Sequence, residues 1–75
     1  MTNQTISLIL VDDDSIFRLG LSTALANYED IAVLNQTDTI EIALEMVRQQ
    51  KPNLVIAEWQ YCESLQEKIP DLVIF

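Results

Sequence analysis

Short apolar runs alternate with longer amphipathic segments along this chain. The runs are rich in Ile, Leu and Val with little polar alternation, which is typical of strands covered on both faces. The four predicted strands cover residues 6–11, 31–35, 53–58 and 71–75. Between them, apolar residues recur at the helical period. The predicted helices cover residues 15–27, 39–50 and, as a short helix, 63–68. This alternation predicts an α/β fold with right-handed crossovers and a parallel sheet that has helices on both faces.

The helix boundaries have their own local signals. Ser15 is expected to cap the first helix. The broad apolar face of that helix consists of Ile16, Phe17, Leu21, Ala24, Leu25 and Tyr28. Asp38 with Glu41 three residues later resembles a capping box at the start of the second helix. Pro52 ends that helix, because proline disfavours the helical conformation in the residue before it.

Composition and charge limit the possible functions. The chain has 75 residues, 49% of them apolar, so it forms one small domain and is not disordered. Its net charge of −8, with no His, disfavours direct nucleic-acid binding. The apolar runs are too short for a signal peptide or a membrane span. Cys62 is the single cysteine, which suits a reducing cytosol, and we expect a cytoplasmic protein.

Acidic side chains follow two of the predicted strands. Asp12 and Asp13 come directly after the first strand, and Glu58 ends the third. If the strand order is 2-1-3-4, these strands are neighbours and the three carboxylates converge at one edge of the sheet. Clustered carboxylates repel one another unless a cation compensates them, and oxygen ligands suit Mg²⁺. The simpler alternative is that the acids after the first strand form a solvated turn that caps the first helix.

Three stretches of the chain together resemble response-regulator receiver domains of the CheY-like type. Residues 9–21 (ILVDDDSIFRLGL) are similar to the opening of receivers that carry a helix-turn-helix output domain. Residues 41–44 (EIAL) and 51–58 (KPNLVIAE) match the same family in order and spacing. The resemblance implies a flavodoxin-like, doubly wound parallel sheet of order 2-1-3-4. Residues 1–75 would then form a partial receiver-like domain, truncated after the fourth strand.

The resemblance also assigns roles to the acids. In receivers, an acid pair binds Mg²⁺ and an aspartate at the end of the third strand accepts a phosphoryl group from a histidine kinase. Asp12 and Asp13 would therefore hold the metal, with Asp13 rather than Asp12 expected as the direct ligand, and Glu58 occupies the phosphoacceptor position. Glutamate is one methylene longer than aspartate, which moves the attacking oxygen off the in-line geometry. We expect no ordinary phosphorylation at Glu58, whose fixed charge could imitate the phosphorylated state.

Two further departures from the receiver pattern concern the second half of the chain. Residues 59–62 (WQYC) and a short helix replace the usual loop and full third helix. The switch Thr or Ser and the Lys of the family would lie beyond Phe75. A final apolar strand would also leave an uncovered sheet edge. We therefore expect a fragment, a truncated gene product, or a chain that needs a partner at that edge.

The first functional hypothesis is a degenerate receiver, or pseudo-receiver. It is not an enzyme, and it acts by protein–protein interaction in a two-component phosphorelay. Its expected partner is a histidine kinase-like protein or an output domain. A homodimer could form through the exposed edge or through an aromatic patch of Trp59 and Tyr61, although such aromatics more often cover a core edge. Arg18, four residues after Asp14, is expected to form a helical surface ion pair.

A second hypothesis is that the chain is the N-terminal part of a longer protein. That protein would be a response regulator, or a receiver-like protein of cyanobacterial or plastid type, whose remaining part carries the output function. A third hypothesis, an enzyme that uses Mg²⁺ for phosphoryl hydrolysis, is disfavoured. The sequence has no Gly-rich loop, no His and no convincing nucleophile other than the acids.

Overall fold

The computed structural model describes residues 5–75, which form a parallel sheet with helices on both faces. The strands are β1 (Ile6–Val11), β2 (Ile31–Thr37) and β3 (Leu54–Ala57). The helices are α1 (Ser15–Leu25), α2 (Ile40–Gln50) and α3 (Trp59–Lys68). The strand order is β2-β1-β3, with both pairings parallel. The predicted α/β class is confirmed, and the order agrees with the first three positions of the predicted one.

The pairing of β1 with β2 contains one irregularity. Leu8 lies opposite Val33, whereas Ile9 lies opposite Asn35, so Leu34 has no partner in β1. Such a bulge leaves the extra residue out of the regular alternation. Leu34 is accordingly 40% exposed although it is a large apolar residue within a strand.

The predicted fourth strand at residues 71–75 is not confirmed. The chain returns beside β3 but forms only one isolated parallel bridge, between Val55 and Ile74. The Val55 amide donates to the Val73 carbonyl at 2.9 Å, and the Phe75 amide donates to the Val55 carbonyl at 2.9 Å. Residues up to 72 are still in the turn that follows α3, so too few remain for a ladder.

One face of the sheet carries the main core. Ile9 and Val11 of β1 and Val55 of β3 point to this face and are fully buried. Helices α2 and α3 cover them. The buried residues of this cluster are Ile9, Val11, Ala43, Val47, Val55, Leu65 and Leu72. Because α2 and α3 both pack on this face, the central residues of β1 and β3 are shielded from solvent.

The opposite face is covered by α1 alone. Leu8 and Leu10 of β1 are buried there, but no residue of α1 is buried. The predicted apolar face of α1 is therefore only partly correct. Leu21 and Leu25 are half-buried, whereas Ile16 is 80% exposed. No second helix of the described residues packs beside α1 to cover its flank.

The helix starts differ from the predicted ones in two places. Asp14, not Ser15, caps α1, because its Oδ1 accepts from the amides of Ile16 and Phe17 at 3.0 Å each. The predicted capping box at the start of α2 is wrong. Thr39 is the N-cap there and forms no side-chain cap hydrogen bond. Asp38 lies one residue before the N-cap position. In the turn around it, the Thr39 amide donates to the Thr37 hydroxyl at 3.2 Å.

The third helix is longer than predicted. It begins at Trp59 and runs to Lys68, so residues 59–62 are helical and not a loop. No Gly or Pro lies between Glu58 and Pro70, so nothing in the sequence interrupts the helix before its end. Within the described part of the chain, no helix has the length and hydropathy required to span a membrane.

Candidate metal and phosphoacceptor site

The three predicted site residues meet at the carboxyl edge of the sheet. Strands β1 and β3 are neighbours, so Asp12 and Asp13, which follow β1, and Glu58, which follows β3, emerge side by side. One carboxylate oxygen from each lies within 4.8 Å of the others. Backbone hydrogen bonds hold the edge together, with the Glu58 amide donating to the Val11 carbonyl at 3.0 Å. The sheet geometry thus brings the three carboxylates together at one edge.

The three consecutive aspartates have different contacts. Asp14 caps α1, and the Asp12 Oδ1 accepts from the Asp14 amide at 2.8 Å. Asp13 is exposed, and its carboxylate has no such local hydrogen bond within the described residues. The capping turn and the acid cluster therefore coexist. Asp14 satisfies the helix end, which leaves Asp12 and Asp13 to face Glu58.

Glu58 is tied to the loop after β1. Its Oε1 accepts from the Asp13 amide at 3.0 Å and from the Gln60 side-chain amide at 3.3 Å. The Asp13 amide lowers the pKa of Glu58 by stabilising the carboxylate. Desolvation and the neighbouring carboxyls of Asp13 and Asp12 act in the opposite direction and together raise the pKa above its ordinary value of 4.5. The site therefore favours a proton or another cation at this carboxyl.

The donor set fits a hard divalent cation. All three side chains offer carboxylate oxygens, the ligand type that Mg²⁺ and Ca²⁺ prefer. Asp13 is exposed and the other two are half-buried, so water can complete the coordination of an ion. A bound cation would also remove the repulsion that raises the pKa of Glu58.

The two aromatic residues after Glu58 differ in their environment. Trp59 is 85% exposed at the start of α3, beside the acid cluster. Tyr61 instead packs against the core cluster, and its hydroxyl donates to the Asp38 carbonyl at 3.4 Å. The predicted aromatic patch is therefore divided, with only Trp59 free to meet another molecule.

Two contacts near the site were not predicted. Gln60 donates to Glu58, two residues before it in the sequence, and this contact can be expected only once it is known that α3 begins at Trp59. Arg18 does not pair with Asp14. Its Nη1 donates to the Gln36 Oε1 at 3.2 Å, which ties α1 to β2. The predicted helical ion pair is absent: the Asp14 carboxylate caps α1, and the Arg18 guanidinium turns to β2 instead.

Comparisons with known proteins place this geometry in context. No protein-family model matches the chain. It is 34% identical over 53 residues to the response regulator GacA of Pseudomonas aeruginosa, which is 71% of this chain and 25% of that protein. It is 26% identical over 70 residues to a Ycf55-like protein of Synechocystis sp., which is 93% of this chain and 12% of that protein.

A solved structure shows the same fold. The signal receiver domain of the response regulator NarL from Mycobacterium tuberculosis superposes with a TM-score of 0.75 and 19% identity, covering 95% of this chain and 62% of that chain. This chain has a CheY-like receiver fold. The predicted resemblance to receivers is confirmed. The chain spans about a quarter of the length of GacA and a smaller share of the Ycf55-like protein.

Proposed function

We propose that this receiver-like chain is a two-component signalling module that works by protein–protein interaction without phosphorylation of Glu58. The observation that carries the proposal is the state of the Glu58 carboxylate. Its Oε1 already accepts two hydrogen bonds, from the Asp13 amide and from Gln60. An oxygen held in this way, on a longer side chain than aspartate, is poorly placed for in-line attack on a phosphoryl donor.

Treatment with radiolabelled acetyl phosphate and Mg²⁺ tests the absence of phosphorylation. An acid-stable, base-labile adduct is the signature of an acyl phosphate. We expect no such adduct on the native chain, because the Glu58 oxygen is poorly placed for in-line attack. The matched variants are Glu58→Asp, which shortens the side chain, and Glu58→Gln, which removes the carboxylate. Label on the native chain that disappears in Glu58→Gln would contradict the proposal. Label in Glu58→Asp alone would identify side-chain length as the cause.

We further propose that Asp12, Asp13 and Glu58 hold Mg²⁺. Support comes from the oxygen donor set and from the mutual repulsion of the carboxyls. Trp59 follows Glu58 directly and is exposed, so its fluorescence should report the ion in a titration. Asp13→Asn should weaken the response, whereas Asp71→Asn, which removes an exposed acid in the turn after α3, should not. An equal response in both variants would indicate nonspecific screening and contradict the site.

Partners and location follow from the same proposal. A module of this kind would meet a histidine kinase-like protein or an output domain in the cytoplasm, and would have no enzymatic activity of its own. A homodimer through the apolar edge at residues 72–75 stays a prediction. A homodimer through the aromatic patch also stays a prediction. It would have to rely on Trp59, since Tyr61 packs against the core. A pull-down with the acid cluster intact and with Asp13→Asn would show whether partners recognise this edge.

A second candidate is favoured by the coverage of the relatives. The matched region is only 25% of GacA and 12% of the Ycf55-like protein, so most of each relative lies outside it. The chain would then be the N-terminal part of a longer protein whose other part carries the output function. Sequencing the transcript across codon 75 tests this candidate. A stop codon at that point, with a folded product of this length in cells, would contradict it.

A further inference from the structure

We draw no further inference here: the strongest candidate, the partly exposed apolar surface patch that Leu54, Ile56, Val73 and Phe75 form at the β3 side of the sheet, carries none because nothing in the structure shows what covers it.

Discussion

The two faces of the sheet are built from equally apolar strands but are covered very differently. On one face, Ile9 and Val55 lie under α2 and α3 and are fully buried. On the other, α1 packs toward β2 and leaves the β3 side open, and Ile56 stays half-buried next to the buried Val55. Apolar composition therefore does not determine burial. The number and placement of helices on each face determine it.

This difference concentrates stability on the α2/α3 face. Burial of a side chain stabilises the fold in proportion to the apolar area removed from water. The α1 face removes less area within the described residues, so its residues contribute less to stability. Four pairs of substitutions measure how much each face, and the carboxyl edge of the sheet, contributes to the free energy of unfolding.

We expect the largest difference in the loss of stability between two leucines, one on a helix of each face. Leu65 of α3 is fully buried, and Leu65→Ala should lower the free energy of unfolding by about 2–5 kcal/mol. Leu19 of α1 is 66% exposed, and Leu19→Ala should change the free energy of unfolding by no more than about 0.5 kcal/mol. Urea unfolding followed by circular dichroism measures both. Equal losses would show that α1 is packed as firmly as α3.

Adjacent residues of β3 give a second comparison within one strand. Val55→Ala should cost about 2–3 kcal/mol, because it opens a cavity in the main core. Ile56→Ala removes more atoms but should cost only about 1 kcal/mol, because water already reaches that side chain. A greater loss for Ile56→Ala would place the core on the other face.

A third comparison exchanges alanine and glycine in the two faces. Ala43 of α2 is fully buried, and Ala43→Gly should cost about 1.5–2 kcal/mol through lost helix propensity and lost burial. Gly20 of α1 has open space where a Cβ would lie, so Gly20→Ala should raise stability by about 0.5–1 kcal/mol. Thermal unfolding of the two variants should shift in opposite directions. A loss in Gly20→Ala would mean that α1 lies against a neighbour.

The smallest effect concerns the acid cluster at the edge where both faces end. The pKa of Glu58 is raised in the folded chain, so the folded state binds this proton more readily than the unfolded state does. Stability from this group is therefore present at low pH and is lost as pH rises from the ordinary value of 4.5 through the raised one. Glu58→Gln should flatten this part of the pH profile.

Urea unfolding at a series of pH values measures the effect, with Glu63→Gln as the control for loss of one charge from α3. Added Mg²⁺ should also reduce the destabilisation of the native chain at neutral pH, because a bound cation offsets the repulsion between carboxyls. A pH profile that is the same in the native chain and in Glu58→Gln would contradict the raised pKa.

The sequence by itself determined the features that depend on neighbouring residues. The three runs that form β1, β2 and β3 are visible as apolar segments, and their alternation with helices predicts the parallel sheet. The acids after β1 and β3 could be placed at one edge, since parallel strands end on the same side. The order β2-β1-β3 was then enough to bring Asp12, Asp13 and Glu58 together.

Only the tertiary structure decided how much of each element is buried and how its ends are completed. The periodicity of α1 predicts an apolar face, but burial of that face needs a neighbouring element, and Ile16 is exposed because none of the described residues covers it. The start of α3 at Trp59 and the contact of Arg18 with Gln36 likewise depend on strands distant in sequence. Local patterns specify what a segment prefers to form. Packing between distant segments determines which of its surfaces is removed from water.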